Sequence, residues 1–314
     1  MMFLGLCRPP REGEGTDAGQ SGFVLLSVLA VLVVVSAILA AALLQVRSET
    51  ATIQARGDGV RLQGLADGIG QFVAYDLRVA RTHRVAGLGL PEDGAAVACP
   101  LGRGRTAFVA LQDQGRLIDL NTTPRPALEE AFRLLGLPDP TVLALAAEIV
   151  DARDPDDVPE PNGGAERAQY RARGLASGPR NGPFVRVDEI GRLPSMTPDV
   201  AAILTPVLTV YNEGGRFDLA ALIARVRPSS VRSLPAGGRP VPSPRQYFRM
   251  SVVVERNGAR AGRAAVYALG GTRAGTDFLV WQHGAAAQGP AAPHPACRKI
   301  AAVLNAGAGS PDGG

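Results

Sequence analysis

The sequence is short of most of the residues that do chemistry. It has three cysteines, too few for a disulfide-dense scaffold or a cysteine-rich zinc site. Three scattered histidines, His83, His283 and His294, leave little material for imidazole-based metal catalysis. Aromatic residues make up 5% of the chain, and Lys299 is the single lysine. A net charge of +4, from 33 basic and 29 acidic residues, excludes a strongly cationic nucleic-acid binder and an acidic disordered chain. The nucleophile elbow G-x-S-x-G, the phosphate-binding P-loop and the zinc motif H-E-x-x-H are all missing. What the chain has in quantity is glycine (38) and proline (25), which predict many loops, and one long apolar run.

That run, Phe23 to Leu44, is 22 residues without a charge. At a rise of about 1.5 Å per residue it is long enough to cross a bilayer. A secretory signal peptide would place small residues after such a run, and Ala40 to Ala42 allow that reading. Here, however, a small residue, Gly22, also precedes it, after a polar leader. The order polar leader, Gly, Phe, apolar helix resembles a type IV prepilin-like signal. The resemblance implies that a membrane peptidase cuts between Gly22 and Phe23, that Phe23 becomes a methylated N-terminus, and that the apolar helix stays on the mature protein. Arg8 and Arg11 stand against Glu12, Glu14 and Asp17 in the leader, and Arg47, Arg56 and Arg61 follow the run. The distribution of basic residues therefore does not set the orientation, which comes from the signal's resemblance. Pilin-like proteins usually carry Glu at the fifth mature position, where this chain has Ser27. A carboxylate in the bilayer is costly without a partner. A filament subunit with no other above it has no use for one, so Ser27 suits a tip subunit.

Downstream, helical spacing continues to about Arg84, interrupted by Gly57, Gly59, Gly64, Gly68 and Gly70, so a helix weakened or kinked there is expected. Two short strands are expected at Thr106–Leu111 and Arg116–Leu120. Thr123-Pro124, Asp139-Pro140 and Thr197-Pro198 each read as a capping side chain before a first-turn proline, opening three helices. A further short helix at Asp218–Arg225 is followed by strands at Tyr247–Glu255, Arg263–Leu269 and Asp277–Gln282, with Asn257-Gly258 as a hairpin turn. From Gly284 the Ala, Gly and Pro content predicts a flexible tail, with an apolar patch at Ile300–Leu304. Trp281 is expected in the core. The order is an α/β domain carrying an all-helical insertion.

The densest chemical feature is Asp151 to Glu166, DARDPDDVPEPNGGAE, with six carboxylates in sixteen residues. Calcium takes six to eight oxygens and tolerates flexible loops. Asp151, Asp154, Asp156 and Glu166 are the candidate ligands, in a spacing that is not an EF-hand. A hydrated loop paired with Arg153 and Arg167 is the competing reading. Cys99 and Cys297 either form one disulfide or remain free thiols; Cys7 lies in the leader.

Several lines of sequence together resemble the protein K family of type II secretion minor pseudopilins. They are the Gly22-Phe23 junction, Ser27, DQGRLIDLN (Asp113–Asn121), the acidic run, GGAERAQY (Gly163–Tyr170), NGPFVRVDEIGRLPSMT (Asn181–Thr197) and LTPVLTVYN up to Asn212. The resemblance implies an α+β pilin-like fold, a long N-terminal helix packed on an antiparallel sheet with a large helical insertion. It divides the chain into a leader (1–22), a membrane segment (23–44), a first part of the pseudopilin domain (45–121), the insertion (122–212), the remaining sheet (213–283) and a tail (284–314). It further implies a non-enzymatic inner-membrane protein with its C-terminal domain in the periplasm, at the pseudopilus tip. Its partners would be minor pseudopilins I and J, other pseudopilins and the prepilin peptidase, with no nucleic acid, and its cofactor calcium at the acidic loop. Two other classes are weighed against it. A DNA-uptake pseudopilin would use Val187–Val207 as a helix-hairpin-helix, but Pro194-Ser195-Met196 replaces the Gly-rich hairpin that would hold phosphate. A membrane-anchored periplasmic enzyme has no motif behind it.

Overall fold

The computed structural model describes the backbone of residues 20–226, 242–270, 277–284 and 292–307, and their side chains apart from 20–24, 46–55 and 305–307. The chain divides into two compact units, at Val60/Arg61. Most of the leader lies outside the described residues, as do the ends of the loops before and after the last strands.

Helix α1 spans Gln20–His83. In the first unit it contains one stretch, Leu25–Gln45, of mean hydropathy 2.9 and wholly exposed side chains, long and apolar enough to cross a membrane. The helix runs unbroken through Gly57 to Gly70, unlike the weakened helix expected from the glycines. In the second unit Leu62, Ala66, Ile69, Val73 and Leu77 recur at three- and four-residue steps and are buried. Each large apolar side chain buried this way contributes about 1.5–3 kcal/mol, more than the roughly 1 kcal/mol a helical glycine costs. Gly70 is also used for contact: a Cβ there would lie 3.2 Å from the Trp281 ring, so its absence lets the helix settle on that indole.

The second unit is built on a six-stranded sheet in the order β7 (Phe278–His283), β6 (Ala259–Ala268), β5 (Tyr247–Arg256), β2 (Arg105–Asp113), β1 (Asp93–Gly102) and β8 (Ala292–Pro293). Strands β1 (Asp93–Gly102) and β2 (Arg105–Asp113) form a hairpin across Arg103-Gly104, both at positive φ. β1 is an addition to the sequence reading, which assigned no element to this stretch. A short strand β3 (Ile118–Asp119) leads into the insertion. Helices α2 (Arg125–Leu134), α3 (Asp139–Arg153), α4 (Arg167–Ala172) and α5 (Pro198–Leu204) follow, and β4 (Leu208–Thr209) closes it by pairing in parallel with β3. Of the three expected caps only Thr197 acts, accepting the Val200 N–H. The first two helices open on Pro124 and Pro138 without a side-chain cap, and Asp139 instead accepts from Arg133 at 2.9 Å. Val187–Arg192 is a 3-10 turn, so the helix-hairpin-helix pattern is not formed.

The neck of the insertion is where two of the quoted motifs meet. The Asp119 carboxylate accepts the N–H groups of Asn121 (2.8 Å), Thr122 (3.0 Å) and Asn212 (2.8 Å). The Asn212 amide in turn donates to the carbonyls of Leu117 (2.8 Å) and Arg216 (2.7 Å). Both residues are buried, so these bonds satisfy groups that water cannot reach.

Helix α6 (Leu219–Val226) joins the insertion's core through Leu222 and Ile223. The chain then returns through β5 (Tyr247–Arg256), β6 (Ala259–Ala268) and β7 (Phe278–His283), with Asn257-Gly258 turning at positive φ as expected. One face of the sheet, including Val109, Met250, Val252 and Tyr267, packs on α1. Within that interface Arg263 is 3% exposed. Its guanidinium donates to both Asp67 oxygens (2.6 and 2.8 Å) and lies 4.7 Å from the Trp281 ring centre. The Arg263 hydrogen bond holds the Asp67 carboxyl below the usual carboxylate range.

The tail is also a correction. Within its described residues it adds β8 (Ala292–Pro293), parallel to β1, and helix α7 (Ala296–Gly307), while 285–291 and 308–314 lie outside the described residues. Cys297 on α7 is disulfide-bonded to Cys99 on β1, and Ile300 is fully buried beside them. The bond closes a loop of 198 residues, for which chain entropy gives a stabilisation of up to about 5 kcal/mol. Reduction is therefore expected to lower the melting temperature and to expose α7 amides to hydrogen exchange. An unchanged melting curve in reductant would remove the disulfide from the account.

Candidate cation site in the helical insertion

The acidic segment starts in the last turn of α3, whose C-terminal carbonyls carry partial negative charge. Asp151 lies there, fully buried. Its two oxygens accept the N–H groups of Glu160 (2.9 Å) and Ala165 (2.5 Å), folding the loop back onto the helix. The fold demands glycine at two adjacent positions. A Cβ on Gly163, at φ +128°, would lie 2.6 Å from Ala144 Cα, and one on Gly164 would lie 2.6 Å from the Asp151 carboxylate. Asp151 is thus the organiser of the loop. Burial pushes its carboxyl up, opposed by those two N–H groups.

The four predicted ligands then separate. Glu166, just before α4, is 4% exposed, and neither carboxylate oxygen has a hydrogen-bond partner among the described residues. Burial and then the carboxylates of Asp151, Asp157, Asp154 and Asp156 push it up to about 7. Asp154 follows α3, with one oxygen buried and unpartnered, and is raised by burial and by Asp156. Asp156 is exposed and accepts the Val158 N–H at 2.8 Å. Arg153 forms no direct ion pair with the segment among the described residues, though its charge still acts on Asp154. It turns away to donate to the carbonyls of Leu120 (2.6 Å) and Thr123 (2.8 Å). Arg125 pairs with Glu160 (2.7 Å), at the far end of the loop from Asp154.

Asn181 is the residue that sequence reasoning missed. Its amide donates to the Asp156 carbonyl (2.7 Å) and to Asp157 (3.1 Å), while its own oxygen is buried without a partner. It stands at φ +50°, a backbone conformation asparagine tolerates better than most residues. The quoted line beginning at Asn181 carried this residue, but nothing local marked it as a neighbour of Asp156.

Buried oxygens without donors are rare, because each gives up its hydration for nothing. Asp154, Glu166 and Asn181 each present such an oxygen, the first two among neighbouring carboxylates. No three acidic, imidazole or thiol side chains among the described residues converge into a metal cluster. The orphaned oxygens come instead from two carboxylates and an amide. Carboxylate and amide oxygens of this kind are the donor types that a calcium ion takes, alongside carbonyls and water.

Residues 109–213 match the family model described as type II secretion system (T2SS), protein K. The matched stretch runs from β2 through the whole insertion to the Asn212 neck. No curated protein matches the chain. Among solved structures, a chain of the GspK-GspI-GspJ complex from the type 2 secretion system of enterotoxigenic Escherichia coli aligns at 17% identity and a TM-score of 0.49. That alignment covers 77% of this chain and 100% of that one.

Proposed function

We propose that this chain, a type II secretion system protein K by the domain it carries at residues 109–213, works at the tip of the pseudopilus as a minor pseudopilin. The observation that carries the reading is the coincidence of that domain with the insertion, bounded by the β3–β4 pair and set into a pilin-like helix-on-sheet fold. The protein is a structural component, anchored by one apolar helix segment, Leu25–Gln45. The rest of the chain faces the periplasm, where the Cys99–Cys297 disulfide is chemically at home. Ser27 supports a tip position, since it puts no carboxylate into the bilayer that a subunit above would have to neutralise.

Calcium belongs to the same proposal. Asp154, Glu166 and Asn181 would hold it, and Asp151 would hold the loop that presents them. The ion would supply positive charge beside Asp154 and Glu166, which no ion pair reaches among the described residues, fixing the α3–α4 connection. The protein's partners are the minor pseudopilins I and J. Affinity purification of the full chain from detergent-solubilised membranes is expected to retain both. Recovery of the chain without either, from cells that contain them, would count against the assignment.

A further inference from the structure

The sheet face turned away from α1 is roofed by the insertion, and the space between them is a groove of about 620 Å³. Its floor consists of two cross-strand rows. One is Ala110, Ser251, Ala264 and Gln282; the other is Gln112, Arg249, Val266 and Val280. Ala110, Ser251 and Ala264 keep most of the first row low, and Arg249 stands in the second. Val210 and Tyr211 of the insertion form a wall, with Arg225 of α6 alongside.

Arg249 is half-buried and has no hydrogen bond or ion pair among the described residues. Burial and the neighbouring Arg225 both lower its affinity for its proton, and the Tyr211 phenol is the group that opposes them. Arg225 gives no counter-charge, being a cation itself. It donates to the Asp93 backbone carbonyl at 2.5 Å, and burial lowers it too. Arg186 at the groove's mouth is already paired with Asp188 at 2.9 Å. Asp93 acts electrostatically on Arg225, but no carboxylate among the described residues acts on Arg249. Two desolvated guanidinium groups side by side are unfavourable unless an anion joins them, and a planar guanidinium is suited to a carboxylate. The walls also carry apolar side chains, with Leu279 42% and Val185 55% exposed.

We infer that this groove is a docking site for an extended, acidic segment of a partner protein, whose carboxylate lies between Arg249 and Arg225 and whose apolar neighbours cover the exposed leucine and valine. The inference does not depend on the calcium site or on the secretion assignment, since it rests on the groove's own charge and shape.

The test uses the full chain in detergent and two blocked peptides, one alternating valine and glutamate, the other valine and glutamine, titrated calorimetrically. The glutamate peptide is expected to bind about tenfold more tightly than its glutamine twin, and Arg249→Met is expected to remove that advantage. In the absence of peptide Arg249→Met is expected to melt no lower than the wild type, because it removes an unpaired, desolvated charge. Equal binding of the two peptides, no binding of either, or unchanged binding to Arg249→Met would overturn the site. A lower melting temperature for Arg249→Met would do the same, since it would mean that the charge is already satisfied within the chain. Succinate binding as tightly as the glutamate peptide would replace the protein partner with a free carboxylate.

Discussion

A Gly22→Ala variant is expected to accumulate as the uncut precursor, with essentially complete loss of the mature form. The prepilin-like junction requires the small residue before Phe23, and the leader of residues 1–22 would remain attached. The variant should still sediment with membranes, because Leu25–Gln45 keeps its mean hydropathy of 2.9 and needs no processing to insert. Immunoblotting of membrane fractions separates the two forms by the mass of the leader. Normal maturation of Gly22→Ala would end the prepilin reading and return attention to cleavage after the apolar run, near Ala40–Ala42.

The second large effect concerns the acidic loop. Calcium is expected to raise the melting temperature of the full chain, since an ion bound only by the folded state stabilises by about 2.7 kcal/mol at a hundred times its dissociation constant. Glu166→Gln should abolish that gain. Without calcium the same variant should melt higher than the wild type, by about 1 kcal/mol, because it takes one carboxylate out of a buried like-charged group. The opposite signs in the two conditions distinguish a ligand from a residue that merely packs. Asn181→Ala should weaken the calcium response while leaving the six carboxylates in place. If calcium leaves the wild-type melting curve where it was, the loop is simply an acidic loop.

How far the sequence could be read depended on where the stabilising contacts lie. The hairpin at Asn257-Gly258 was legible because its geometry is local: both residues take positive φ, and that dipeptide tolerates it. Strand β1 was not. Its sequence, DGAAVACPLG, is poor in β-branched residues, and it is held by β2 on one side and β8 on the other. The tail failed for the same reason. Its Ala and Gly content promises no structure, yet Cys297 and Ile300 tie α7 to β1 from almost two hundred residues away. Glycines in α1 suggested a weak helix, and the burial of Ile69 and Val73, with the indole seated at Gly70, outweighed them.

At the acidic loop, composition offered Asp151, Asp154, Asp156 and Glu166 alike and could not rank them by burial. Asp151 and Asp156 look no different from the other two in sequence, yet one is spent on two backbone N–H groups and the other faces water. Asn181 could not be found from spacing at all, since it reaches Asp156 only because the chain between α4 and Val187 folds back across the end of α3. Asp119 and Asn212 were quoted as family motifs without a role. The structure gives them one, as the polar clasp that closes the insertion at its neck.

The measurement that tests the central claim most directly is export across the outer membrane in a strain lacking this chain. The account predicts that the system's substrates accumulate in the periplasm and that the wild-type chain restores their release. Undiminished release from the deletion strain would contradict it.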